Sequence, residues 1–141
     1  MPTTIRFAGL ELRFLQDRHG TEDSLDLFTT TAKAGAGMPI PHYHDRWDET
    51  VYGLSGVTTW TVDGRDNDIG VGASLFILRG IVHGFANRTK DAATFLSILT
   101  PGVLGPEYFQ ETADLVNSGR SSPEAMRALM MRYGLVPVPA D

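Results

Sequence analysis

From Ile5 to about Thr100, apolar and polar residues alternate in short runs that repeatedly stop. LELRFL, SLDLFTTTA, ETVYGL, VTTWTV, SLFIL, IVHGFAN and ATFLSIL are each rich in aromatic or β-branched residues. A period of two in such runs marks strands with one buried face. Turn formers separate them, in DRHGTED, AGAG, SG, DGRDNDIGVG, RG and NRTKD. Asp63-Gly64 after WTV suits a hairpin turn, where glycine tolerates positive φ. Many short strands at even spacing predict a small all-β sandwich or barrel.

The pattern changes after Pro101. GPEYFQETADLVNSG has a proline near its start, acidic residues in the first turns and a glycine near its end, which predicts a helix. SSPEAMRALMMRYG repeats the scheme: Ser121 or Ser122 can cap, Pro123 opens and Gly134 closes. Leu115, Met126, Leu129, Met130 and Tyr133 give these helices an apolar stripe, expected to pack on a sheet or a partner subunit. The expected division is a β-barrel over 1–100 and a helical extension of the same domain over 101–141.

Composition narrows the function classes. A chain of 141 residues can bury one core without staples. A formal net charge of -5 argues against nucleic acid, which demands a basic face, and against an anionic membrane surface. With no cysteine, disulfides, thiolate metal sites and cysteine nucleophiles are excluded, so a metal would need nitrogen and oxygen ligands. The N-terminal MPTTIRFAGLELRF lacks the pattern of a signal peptide, and no apolar run approaches the roughly 20 residues of a bilayer span. A cytoplasmic protein is the expectation.

Candidate chemistry centres on PHYHDRWDET, Pro41 to Thr50. Residues two apart on a strand share a face, so His42 and His44 can direct their rings at one point while Tyr43 faces away. Asp48 or Glu49 could add an anionic ligand, and two histidines with one carboxylate leave coordination positions open. His83, between IV and GF, reads from its surroundings as either a satisfied core histidine or a further ligand. His19, in DRHGTED, reads as a solvated turn residue, and Arg46 and Arg79 as loop charges beside the candidate ligands.

At these residues the chain resembles the cupin superfamily. GAGMPIPHYHDRWDETVYGLSG supplies His42, His44, Glu49 and Gly56 in the register of the first cupin motif, and GASLFILRGIVHGFAN supplies Gly72, Gly80, His83 and Asn87 of the second. Leu78 stands where the second motif has proline, and the first motif's opening glycine falls at Ala36, between Gly35 and Gly37. The resemblance implies an antiparallel jelly-roll barrel holding one divalent metal ion (Fe, Mn, Ni, Cu or Zn) on His42, His44, Glu49 and His83. Glu49 is also the expected catalytic base.

Four ligands on a metal that prefers six leave two positions for a chelating substrate. Trp60, Phe76, Phe85 and Phe95 are candidate pocket aromatics, and Gly53, on the face of Glu49, is expected to leave room beside the metal. Short cupins with a helical tail are similar to quercetin-dioxygenase-like bacterial proteins. The implied function is a dioxygenase cleaving a small enolisable or phenolic substrate. The alternatives are a non-redox lyase, isomerase or decarboxylase, or a small-molecule-binding module without catalysis. The family's habits also suggest a homodimer.

Overall fold

The structure, a computed structural model, describes residues 3–139. In chain order the elements are β1 (Thr3–Phe7), β2 (Leu10–Gln16), β3 (Asp26–Ala32), β4 (Gly37–His44), β5 (Asp48–Ser55), β6 (Thr58–Val62), β7 (Arg65–Ile69), β8 (Ser74–Ile77), β9 (His83–Ala86), β10 (Ala93–Thr100), α1 (Glu107–Asn117), α2 (Pro123–Arg132) and β11 (Leu135–Pro137). One sheet runs β1-β2-β3-β10-β5-β8 and the other β11-β4-β9-β6-β7. All pairings are antiparallel. The result is the jelly-roll that the resemblance implies.

Alternation does the local work. In β10, Ala93, Phe95, Ser97 and Leu99 are buried while their neighbours are not. β3 repeats the pattern with Asp26, Phe28, Thr30 and Ala32. A one-residue slip would turn either set outward, which is why the register is tightly specified. The β6–β7 hairpin turns at Asp63 and Gly64, whose φ values are 50° and 78°, the type expected for a two-residue connection.

β7 and β11 depart from the sequence reading. RDNDI lies in a stretch assigned to a turn, because aspartate and asparagine favour turns. It is instead an edge strand, and its aspartates accept from β6: Thr59 Oγ1 donates to Asp68 at 2.7 Å and Thr61 Oγ1 to Asp66 at 2.6 Å. After α2 the chain returns to the barrel as β11, pairing Leu135 with His44 and Pro137 with His42. The segment after residue 100 therefore completes a sheet as well as carrying helices.

Both helices match their punctuation. Ser122 caps α2, its Oγ accepting from Ala125 N at 3.1 Å, with Pro123 in the first turn. Gly134 beyond it has φ +87°, the left-handed conformation that ends helices. Of the predicted stripe, Leu129 and Met130 are buried, while Leu115, Met126 and Tyr133 are half-buried. The stronger anchor is Tyr108, Phe109 and Ala113 of α1. Phe109 sits 5.9 Å from Phe14 and 5.4 Å from Phe28, between centroids, and thereby ties the helix to β2 and β3. No described helix is long and apolar enough to cross a membrane.

Candidate metal centre

Three imidazoles enter the space between the sheets from one side. β4 and β9 lie together with His42 opposite His83, and His44 follows two residues on, on the same face of β4. Ring centroids are 5.2 Å apart for His42–His44 and 4.6 Å for each of them to His83. One ring nitrogen from each histidine lies within 4.8 Å of the others, and all three residues are buried.

The tautomers of two rings are fixed by backbone carbonyls. His42 Nδ1 donates to Ile40 O at 2.8 Å and His83 Nδ1 to Ile81 O at 3.0 Å. A carbonyl only accepts, so each Nδ1 carries a proton and a metal would meet the ring at Nε2. Burial, assisted by His83, lowers His42 to about 4 and holds His44 well below the ordinary imidazole value. His44 is positioned differently: its ring stacks on the indole of Trp47 at 4.6 Å and 21°.

The carboxylate comes from the opposite sheet. Glu49 on β5 points inward, its Oε1 3.7 Å from His83 Nε2 and its Oε2 accepting from Ser97 Oγ at 3.1 Å. It stands at the edge of the cluster, outside the set of mutually close ligand atoms formed by the histidines. Asp48, the other acidic candidate, points away to Arg79, whose backbone N donates to it at 2.9 Å and whose Nε does so at 3.1 Å. These bonds lower the Asp48 carboxyl below its usual value. Arg46 is exposed beside Asp45, and His19 pairs with Glu107 at the surface.

The donor set fits a metal ion. Buried imidazoles whose ring nitrogens converge, beside a carboxylate, match the nitrogen and oxygen donors that a divalent metal takes. Among the described residues, no hydrogen bond engages the Nε2 of His42 or His83. The buried His42, His44 and His83 group can hold a metal, and Glu49 Oε1 stands 3.7 Å from His83 Nε2 beside it.

Around the donors lies a cavity of about 50 Å³, room for roughly three to five waters. Its other walls are almost wholly apolar, and neither lysine nor arginine is among its described lining residues. Trp60 stacks on Phe85 at 4.8 Å, with Phe95 edge-on to both at 5.1 and 5.0 Å, and all three line the cavity.

Phe76 is a correction. Its ring is 58% exposed, because β8 places Leu75 and Ile77 opposite the inward Val51 and Glu49 and so turns Phe76 outward with Thr50. Gly53 is another: it faces inward, but a Cβ there would lie 1.9 Å from Gly70 O. That glycine admits the neighbouring backbone and leaves no room beside the donors.

The sequence reading missed Trp47, hidden in the polar turn DRW, and Ser97. For Ser97 a signal existed: ATFLSIL alternates so that one hydroxyl shares the buried face of Phe95 and Leu99. Leu104, Phe109 and Leu135 also line the cavity, and nothing local in their segments marks them for it.

Comparison with known proteins agrees with this architecture. No curated protein matches the chain in sequence. Among solved structures, RemF of Streptomyces resistomycificus, described as a polyketide cyclase, is 26% identical over 70% of this chain and 73% of that one, with a TM-score of 0.60. A predicted oxalate decarboxylase from Thermotoga maritima is 20% identical over 72% of this chain and 92% of its own, at 0.63. KdgF from a Halomonas species is 17% identical over 72% and 86%, at 0.60. The last two likenesses show the fold alone. The family model described as "Cupin domain" matches residues 28–99, which is more than half of the chain and spans all four donor residues. The chain therefore belongs to the cupin family.

Proposed function

We propose that this protein is a metal-dependent dioxygenase acting on a small, uncharged, enolisable or phenolic substrate. The observation that carries the reading is a cavity with one cluster of candidate donors in otherwise mainly apolar walls. His42, His44, His83 and Glu49 gather there, while the rest is lined mainly by residues such as Leu12, Phe85 and Phe95. A substrate matching that lining presents two neighbouring oxygens to the donors and an apolar body to the walls. Phosphorylated or doubly anionic substrates fit poorly, since no cationic side chain meets them and an uncompensated buried charge is costly.

A divalent metal held by the three imidazoles supplies Lewis acidity towards the substrate oxygen and, if redox-active, electron transfer to dioxygen. The chain's own residues do the remainder. Glu49 Oε1 accepts the proton lost on enolisation, while the Ser97 hydroxyl on Oε2 holds the carboxylate in place. The Trp60–Phe85–Phe95 group flanks a planar body and excludes water from the electron-rich product of that proton transfer.

A second reading shares the first step and omits oxygen. The same enolate would close a ring or isomerise, and the 26% identity to a polyketide cyclase favours it. Elemental analysis and oxygen uptake decide between the two. Wild type purified without chelators should hold about one metal per chain, and His83→Ala should hold none. Dioxygen consumption in proportion to a small 1,3-diketone or catechol supports the dioxygenase. Conversion of such a compound without oxygen consumption selects the second reading. Failure to retain any metal, even after reconstitution, overturns both.

A further inference from the structure

The cavity touches two surface depressions. One is a groove of about 260 Å³ on the outer face of the β4-β9-β6 sheet, which shares His83 and Phe85 with the cavity. On one side the wall is paired, with Trp60 opposite Phe85 and Thr61 opposite Gly84, while the β4–β9 ladder is irregular between Met38 and His42. There the backbone of Met38 and Pro39 closes on Gly84. The other is a vestibule of about 550 Å³ bordered by Arg18, Asp23, Arg46, Glu107 and Tyr133. Among the described lining residues it shares one with the cavity, Leu104.

Leu104 is 3% exposed and lies on a strap, residues 101–106, between β10 and α1. Strand pairing does not hold this strap. Its fastenings run to the loop that precedes β3 and to the first residue of β3: Gly102 N donates to Asp23 O at 3.0 Å, Arg18 Nη1 to Val103 O at 3.2 Å and Gly105 N to Asp26 Oδ2 at 3.0 Å. Gly102 and Gly105 flank the leucine, and Gly105 has φ +72°, a conformation that glycine enters and leaves without a steric penalty.

Asp26 is an unusual choice for a strand position. Its side chain is fully buried, and its two oxygens accept only backbone amides, Arg18 N at 2.9 Å and Gly105 N. Burying a carboxylate without an ion-pair partner is expensive. What it achieves here is a clip between the loop and the strap at the foot of Leu104.

We propose that Leu104 is the gate between the vestibule and the donor cavity, and that Asp26 is the latch that holds it closed. The proposal rests on reading that cavity as the substrate site. It needs no metal for its test, so it can fail while the metal assignment stands, and the reverse also holds.

The chain has two tryptophans, and Trp60 lines the cavity while 2% exposed. In a Trp47→Phe background, fluorescence quenching by acrylamide therefore reports entry of a small neutral molecule. Leu104→Ala should raise the quenching constant about three-fold or more, and Leu104→Phe should lower it, because local openings of this kind govern access. Asp26→Asn should raise it in part, since Arg18 N and Gly105 N bond different oxygens and an amide keeps an acceptor at only one of those positions. If Leu104→Ala unfolds the chain, Leu104→Val carries the same prediction. In unmodified protein, the Gly102 and Gly105 amides should exchange hydrogen at least about 10-fold faster than those of β10. Quenching unchanged in the Leu104 variants overturns the proposal, as does exchange at Gly102 and Gly105 no faster than in β10. It also fails if Thr61→Phe, which fills the outer groove, lowers quenching while Leu104→Phe does not.

Discussion

The floor and the roof of the cavity are built on different terms. The floor is strand. His42, His44 and His83 project from one sheet and Glu49 and Ser97 from the other, each in a hydrogen-bonded ladder that fixes its direction. The roof, Leu104 and Phe109, comes from chain after residue 100 and contributes only apolar surface. Part of it hangs from hydrogen bonds to a loop and to the Asp26 side chain. Reactive groups need fixed geometry, which strands supply. A cover over an internal cavity has to open, and weakly fastened segments open most readily.

The largest expected effect separates the two by stability. Phe109→Ala removes the ring that joins α1 to Phe14 and Phe28 and should cost about 3–5 kcal/mol in denaturant unfolding. Below the melting temperature, metal content should stay at the wild-type level, since no donor is touched. Loss of metal from the folded variant would show that the roof also holds the donors in place and would collapse the distinction.

The same contrast governs what could be read in advance. Strands β2, β3, β5 and β10 follow a local period of two, and His42, His44, Glu49 and His83 stand at motif spacing, so neighbouring residues sufficed to find them. Phe76 misled because alternation does not say which of two faces is inward, and only its pairing with Thr50 decides that. Leu135 could not have been found locally. It sits in a three-residue strand containing Pro137, and its burial depends on β4, some ninety residues earlier. Asp26 appears as one polar letter in SLDLFTTTA, and its meaning comes from Gly105 on the strap.

Within the floor the distinction sharpens at His44. His42 and His83 are aimed by carbonyls, whereas His44 is aimed by the fully buried ring of Trp47. Outer groups that orient ligands typically affect metal affinity 10–100-fold. Trp47→Leu should therefore weaken zinc binding by about 10-fold in a chelator competition, and Trp47→Phe, which restores an aromatic face, should recover most of it. If Leu and Phe variants bind zinc equally well, the indole is packing alone and the His44 ring is set by its strand.

The smallest effect lies in the latch and is a matter of sign. Burial is the main reason that the Asp26 carboxyl titrates above its ordinary value in the folded protein, against the two backbone bonds that lower it. In the unfolded chain it releases its proton at about 3.9. Between that pH and the raised folded value, the native state keeps a proton that the unfolded state has lost. Stability therefore falls as pH rises through this window and levels off above it. Asp26→Asn has no such proton, so the difference in unfolding free energy, wild type minus variant, should decrease across the window. Urea titrations of both proteins at several pH values from acid to neutral measure this directly. A difference that stays flat would mean that Asp26 ionises alike in both states, and the strap would then be fastened by a carboxylate whose burial carries no net penalty.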